Sequence, residues 1–374
     1  MQRFIRSFAA ARFDQEGPSR DPVAPAAHQP PDYMQGYDAK TLWYDAIWDA
    51  GRITVVLPKP LNFTKLLRQA QITLDDQPTK IQRFRVFRRH ALITLPAPSR
   101  AKRLEMKGEN WRLSSPVHAA EPELFEGLNA GLMISKDNDL QWIEDWARFH
   151  IHHHGLEALA LIDNGSTRYE PSDILDAMER AGLKAGYVAR TELPYGPKAK
   201  PGPYRHGSTF LQTAHLNAMR RRVLSKARAV LQCDLDELVW AQGQSIFDLC
   251  KANRFGFIRF PGSWRRISTQ TERLPRHADH RFSRQGDRTC PHKYCIDPQG
   301  PFGKAEFNPH RLEDHWLAAT FSSKRAEFWH CASISTNWKT PERSATTGSV
   351  PDPIAQKALE EVFGASPDSQ PRYE

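Results

Sequence analysis

Residues 227–238 read ARAVLQCDLDEL, an apolar run that ends in the carboxylates of Asp234, Asp236 and Glu237. A short unbroken apolar run bounded by polar groups is the pattern of a strand buried on both faces. Acidic groups at the carboxyl end of such a strand lie where ligands bind in open α/β sheets. Alternation along an extended chain sets Asp234 and Asp236 on one side, a pair suited to a hard cation with oxygen ligands. Three like charges so close together cost free energy unless a cation or basic groups compensate them. Taken alone, D-x-D is a weak motif, and the pattern fits a solvated acidic turn or a helix cap better than a metal site.

The text on either side repeats the same grammar. Residues 131–135 (GLMIS) read as a strand, and Asn138 with Gln141 resembles a capping box. The helix expected to follow, LQWIEDWARFHIHHH, sets Leu140, Ile143, Ala147 and Ile151 on one stripe, with Gly155 as its stop. A strand over 158–162 delivers Asp163, a helix opens at Pro171-Ser172 and stops at Gly182, and LKAGYVAR makes a third strand. A long helix over roughly 210–226 leads back to the acidic run; SIFDLCKA (helix) and FGFIRF (strand) follow it. Such alternation predicts an α/β domain with a mostly parallel sheet.

The chain of 374 residues is long enough for one large domain or two ordinary ones, and 40% hydrophobic with 25% charged residues excludes wholesale disorder. Residues 1–40 are basic and then Pro-rich, and read as a flexible leader. Over 41–122 the short runs ITVVLP, QITL, FRVF and ALITLP predict a small β-rich accessory module. The α/β domain then spans 123–363, with a flexible tail over 364–374. A net charge of +9 favours anionic partners. No RNA-recognition, zinc-finger or helix-turn-helix pattern accompanies it, so a sugar nucleotide or an acidic membrane surface is expected rather than nucleic acid. Five cysteines, an odd count with none before Cys233, form no disulfide framework and suit reduced thiols in the cytoplasm. No apolar run approaches the length of a membrane span, so membrane contact, at the inner face, would be peripheral.

A second constellation, Asp163-Asn164-Gly165-Ser166-Thr167, follows an apolar strand. Asp accepts hydrogen bonds from a base or ribose, and Gly165 permits close approach of a ligand, although Asn-Gly also favours an ordinary turn. Four features occur in a fixed order: Ser135-Lys136-Asp137-Asn138, the Trp142-Ile-Glu-Asp-Trp146 helix, the D-N-G-S turn and the D-x-D-E. That order, over 131–250, resembles the bacterial glycosyltransferases of the family-2-like and family-92 groups. The resemblance implies a GT-A fold and a metal-dependent glycosyltransferase that moves a hexose from a nucleotide diphosphate sugar, a UDP-sugar, to a glycan or glycolipid acceptor with inversion.

Carried over, the resemblance puts Lys136, Asn138, Asp163, Asn164 and Ser166 on the donor, with Asp163 on the nucleoside. Asp234 would touch ribose or metal, and Asp236 the metal, Mn²⁺ or Mg²⁺. In similar transferases a late Lys and a late His return to the phosphates or the metal; Lys293 and His330 are the nearest matches, against a surface lysine and a packed histidine. Glu237 is the candidate general base, or a charge that holds the loop. Trp264 could stack on an acceptor sugar or sit in the core. Cys290, His292 and Cys295, with Cys331, suggest a zinc set of non-standard spacing. In the tract His150-Ile-His-His-His154, His150 is expected semi-buried and the others solvated. The rival reading is a non-catalytic, degenerate GT-A protein that binds anionic glycan or nucleic acid; Asp163, Asp234 and Asp236 argue against degeneracy.

Overall fold

The apolar runs pair into a nine-stranded sheet. In chain order its strands are β1 (Gln2–Ser7), β2 (Asn129–Ser135), β3 (Ala158–Asp163), β4 (Ala185–Arg190), β5 (Ala229–Gln232), β6 (Glu237–Trp240), β7 (Phe257–Arg265), β8 (Cys290–Ile296) and β9 (Glu327–Cys331). The computed structural model describes residues 1–268, 273–313, 315, 318, 320, 322–334 and 348–365. Spatial order is β1-β4-β3-β2-β5-β8-β7-β9-β6. From β1 to β5 all pairings are parallel; β8 runs antiparallel to β5 and β7, and β6 antiparallel to β9. The fold is therefore α/β with a mostly parallel sheet. Because β3 lies on one side of β2 and β5 on the other, the strand order reverses there, and a crevice opens beyond their carboxyl ends.

Helices α1 (Leu140–His154), α2 (Pro171–Ala181), α4 (Ile246–Ala252) and α5 (Pro353–Phe363) share one core on one face, with Ile143, Trp146, Leu175, Phe247 and Leu359 buried in it. Helix α3 (Phe210–Arg222) packs Leu216 and Met219 on the other. The cap of α1 is Asp139, whose carboxylate accepts from the Gln141 N–H at 2.9 Å, rather than Asn138; Gly155 ends the helix at φ 66° as expected. No helix among the described residues is long and apolar enough to cross a membrane.

The β module is two small sheets around one core that includes Trp43, Ile53, Val55, Leu95 and Met106. One sheet holds Asp45–Asp49, Arg52–Pro58, His90–Pro96, Arg83–Val86 and, parallel to the first, His118–Ala119. The other holds Arg112–Pro116, Arg103–Lys107, Gln71–Leu74 and Gln77–Thr79.

A flexible leader over 1–40 is not what the structure has. β1 pairs with β4 along its whole length, and Arg20, Ala24, Tyr33 and Tyr37 are buried. The Pro-rich text is held down by aromatic and cationic anchors: Tyr37 packs on Phe210, and the Arg20 guanidinium lies 4.7 Å over the Phe63 ring. Of the tail, residues 366–374 lie outside the described residues.

One buried ion pair joins leader, module and sheet. Arg222, in the last turn of α3, donates to the Ser7 carbonyl at 3.0 Å and lies 3.5 Å from the Asp45 carboxylate. Burial pushes the Asp45 pKa up, but Arg222 and His118 more than reverse this and hold it below the usual carboxylate range. Removing Arg222 leaves the buried Asp45 charge without its arginine, held by the His118 ring and two backbone N–H groups, so Arg222→Met is expected to cost about 3–5 kcal/mol, and Asp45→Asn with Arg222→Met together less than the two singles summed. Urea unfolding of the three variants measures this; a loss under about 1 kcal/mol in Arg222→Met would contradict it.

Candidate functional site

The turn after β5 folds its acidic groups onto one another. The Glu237 N–H donates to the Asp234 carbonyl at 3.1 Å, and Glu237 Oε2 accepts from the Asp234 N–H at 2.8 Å and from the Cys233 thiol at 3.3 Å. The register of β8, with Tyr294 opposite Gln232, carries Lys293 to the turn. Its Nζ lies 2.7 Å from Asp234 Oδ2 and 3.0 Å from Glu237 Oε2, with the side chain 0% exposed. Burial alone would lower the Lys293 pKa; Asp234 and Glu237 outweigh it and hold the ammonium well above its usual range.

β9 places His330 directly opposite Glu237. Its Nε2 is 3.0 Å from Asp236 Oδ2, its Nδ1 is 3.7 Å from the Cys290 sulfur, and its ring stacks on Trp264 at 4.1 Å. Asp234, Asp236 and Glu237 each offer an oxygen within 4.8 Å of the others. Helix α1 fixes the far side. Trp146 Nε1 donates to the Glu237 carbonyl at 2.8 Å, His150 Nε2 accepts from the Val239 N–H at 3.2 Å, and His154 Nε2 donates to the Val239 carbonyl at 2.8 Å. From the next segment His277 Nε2 donates to the Leu235 carbonyl at 2.9 Å, while Arg276 pairs with Asp145 of α1.

The turns after β2 and β3 are knitted to each other. Ser166 Oγ accepts from the Asp137 N–H at 2.9 Å, Asp137 Oδ1 accepts from the Thr167 N–H at 2.7 Å, and Asn138 Nδ2 donates to Ser135 Oγ at 2.8 Å. Beside them is a cleft of about 760 Å³ lined by Lys136, Asn164, Gly165, Arg190 and Tyr195, with Arg12 and Asp32 of the N-terminal segment as a wall. Gly196, also in its lining, has φ +101°, and a Cβ there would fall 1.9 Å from the Ser208 carbonyl oxygen. Only glycine lets the loop between β4 and α3 close over the cleft in this way.

Several expected roles change. Lys136 and Asn164 do face the cleft, whereas Asp163 is 0% exposed and not in its lining. Asp163 Oδ1 accepts from the Ser166 N–H at 3.0 Å, and Oδ2 is buried with no hydrogen-bond partner among the described residues. Ser166 Oγ and Asn138 Nδ2 are engaged within these turns. Lys293 is enclosed by carboxylates and is not a free phosphate contact. Glu237 is engaged by a lysine, a backbone N–H and a thiol at the distances given above. His154 is buried, not solvated, because both its ring nitrogens bond backbone.

The cysteines gather no zinc set among the described residues: Cys290 sits by His330 while His292 Nε2 lies 3.0 Å from Ser322 Oγ. A second cluster, His152, His153 and Glu361, is at the surface, and His153 Nε2 already donates to the Ala358 carbonyl at 3.0 Å. Arg12 and Asp32 carried no sequence signal, since they lie in a Pro-rich segment remote in sequence from every motif.

Three solved structures are similar to parts of the chain. An active-site mutant of LgtC has 13% identity over 45% of this chain and 57% of that one, with a TM-score of 0.24. S. aureus TarS has 10% identity over 55% and 60%, TM-score 0.28. GalNAc-T7 with UDP, GalNAc and Mn²⁺ has 11% over 65% and 49%, TM-score 0.32. The chain thus spans about half to three fifths of the length of the structures it matches. No family model and no curated protein matches it.

The histidines that hold the acidic turn make it acid-sensitive. Burial drives His154 to about 4 and pushes His150 and His277 down as well, against the opposing pull of Asp145 on His277. Folded values below the unfolded value mean that the unfolded chain binds more protons, so stability is full above about pH 7 and is lost as pH falls below about 6.5. A histidine held at about 4 withdraws on the order of 3 kcal/mol across that window. Melting temperature measured from pH 8 to 4.5 is expected to be flat and then to fall steeply; a flat profile down to pH 4.5 would contradict the neutral histidine framework.

Proposed function

We propose that the protein is a GT-A glycosyltransferase of the cytoplasm that moves a hexose from a nucleotide diphosphate sugar, a UDP-sugar, to a glycan or glycolipid acceptor with inversion. The observation that carries this is the convergence of Asp234, Asp236, Glu237 and His330 at the carboxyl end of β5, beside the crevice where the strand order reverses. The cleft is of a size for a nucleoside, and Lys136 and Arg190 bring positive charge to it. All five cysteines are free and buried, as suits a reducing compartment.

The donor set fits a divalent cation. Asp236 Oδ2 and His330 Nε2, 3.0 Å apart, are oxygen and imidazole donors suited to Mn²⁺, or with oxygen donors alone to Mg²⁺, and Asp234 stands beside them with its side chain partly exposed. Such an ion, when bound, stabilises the charge that develops on the leaving nucleotide diphosphate. The chain's own residues do the rest. Lys136, Asn164 and Gly165 contact the nucleoside half of the donor, Asp163 and Ser166 hold the turn that presents them, and Trp264 keeps the His330 ring in place. Lys293 bridges two of the three carboxylates and offsets one unit of their charge, so the turn stays net negative before any ion arrives.

Titration of UDP into the protein with and without Mn²⁺ tests the reading. Metal-dependent binding is expected in the wild type and a loss of at least about tenfold in Asp236→Asn that still folds; equal affinity in the folded variant removes the metal role. A second expectation concerns Glu237→Gln: melting falls, because a buried hydrogen-bonded charge is lost, while slow UDP release from the preferred nucleotide sugar per folded molecule stays within about threefold. A fall of about 10² to 10⁴ with donor binding unchanged would make Glu237 the base after all. Absence of turnover with any nucleotide sugar and acceptor would favour the non-catalytic reading.

A further inference from the structure

A cationic rim is carried by segments that also hold Tyr195 and His310. It is assembled from three separate parts of the chain. The tight turn between Arg83–Val86 and His90–Pro96 of the β module carries Arg88 and Arg89, and the Arg88 N–H donates to Glu313 Oε2 at 3.3 Å. Glu313 belongs to the hairpin of Glu306–Asn308 and Arg311–Glu313, which bears Arg311 and has His310 in its turn. The loop between β4 and α3 adds Lys198, Arg205 and His206, and is drawn together by the Ala199 N–H donating to the Arg205 carbonyl at 3.0 Å.

These charges bear on one another. The His206 pKa is lowered by burial and then by Arg89, Lys198, Arg205 and Arg88; that of Arg89 is lowered by burial and then by Arg88, with Arg311 adding to it. Arg88, Arg205 and Arg311 are exposed, and neither they nor Arg89 make an ion pair among the described residues. Glu313, an acidic group among the described residues here, has both oxygens engaged, one by the Arg88 N–H and the other by Asn308 Nδ2 at 2.9 Å. Arg89 is half-buried, and its Nε is buried without a hydrogen-bond partner.

The rim is next to the candidate centre. Tyr195, in the same loop as Arg205, lines the cleft, and His310, beside Arg311, has its Nδ1 3.3 Å from the carbonyl of His292, the residue before Lys293. Like charges gathered at short range cost free energy, and a merely structural role would have paired them with carboxylates, as happens for Arg220 and Arg221 on Glu306 nearby. A single-stranded nucleic acid would need free aromatic faces for its bases; Tyr204 of this loop is packed on His28 instead.

We infer that this rim receives the acceptor, and that the acceptor is a saccharide carrying anionic groups, carboxylate or phosphate, which Arg88, Arg89, Arg205 and Arg311 hold beside the donor site. The inference rests on the glycosyl-transfer reading of the adjacent centre and gives the β module a role in it: the module supplies half of the acceptor-binding arginines.

The test uses the full chain and fluorescence anisotropy with labelled oligogalacturonate, a phosphorylated oligomannose, a neutral maltooligosaccharide, a single-stranded oligonucleotide and phosphatidylglycerol vesicles. Wild type is expected to bind one of the two anionic saccharides, and which one identifies carboxylate or phosphate. Arg88→Gln/Arg205→Gln/Arg311→Gln should weaken that binding at least about tenfold and flatten its salt dependence, while Lys65→Gln/Lys80→Gln/Lys107→Gln, the same charge removed from exposed sites elsewhere on the module, should change it less than about twofold. UDP binding with Mn²⁺ should be the same in both triple variants. Equal losses in the two triples, no binding of either anionic saccharide, or tighter binding of the oligonucleotide or the vesicles would overturn the inference. Saccharide binding that behaves as expected in a protein with no UDP binding would uphold the rim and remove the transfer reading instead.

Discussion

The buried ammonium of Lys293 is the constraint around which the candidate centre is organised. A lysine with no exposed surface is costly unless its charge is matched, and Asp234 with Glu237 match it at 2.7 and 3.0 Å. In return the lysine makes an acidic turn tolerable at the end of a buried strand. It leaves the third carboxylate, Asp236, to His330. The crowding evident in Asp234-Leu235-Asp236-Glu237 is thus eased by a lysine and a histidine from two strands distant in sequence.

That arrangement needs the strands to sit in register, and the packing on both faces provides it. Helix α1 reaches across with Trp146, His150 and His154 to bond the backbone of β6, so the strand following the turn is held by side chains as well as by β9. The histidines bond as neutral rings, each with one donor and one acceptor nitrogen engaged, which ties the geometry of the centre to pH. On the opposite face α3 carries Arg222 to Asp45 and Ser7, joining module, leader and sheet through one buried charge pair. The loop between β4 and α3, pinned at Gly196, contributes both to the cleft lining and to the cationic rim.

Much of the α/β architecture was legible because its elements announce themselves locally. Buried parallel strands read as unbroken apolar runs, and helices α1 and α2 carry their own stops at Gly155 and Gly182. The acidic cluster and the nearness of His330 were legible too, the second through family resemblance rather than spacing. What failed was what depends on pairing between distant residues. Nothing in MQRFIRSF says that it will add an edge strand beside β4, nor that tyrosines in a Pro-rich segment will anchor it. Lys293 read as a contact to the donor phosphates because its carboxylate partners are about sixty residues away. Asp163 read as a ligand contact because an Asp at a strand end is an equally good acceptor for its own turn. The cationic rim had no sequence signature, since Arg88, Arg205 and Arg311 come from three different segments.

The central claim is that the acidic turn, already offset by Lys293, holds one divalent cation through Asp236 and His330. Anomalous diffraction from crystals of the protein grown with Mn²⁺ and UDP measures this directly. The account predicts one peak within about 2.5 Å of Asp236 and His330, with Lys293 still bridging Asp234 and Glu237. A peak confined to His152, His153 and Glu361, or none near Asp236 when UDP is bound, would contradict it.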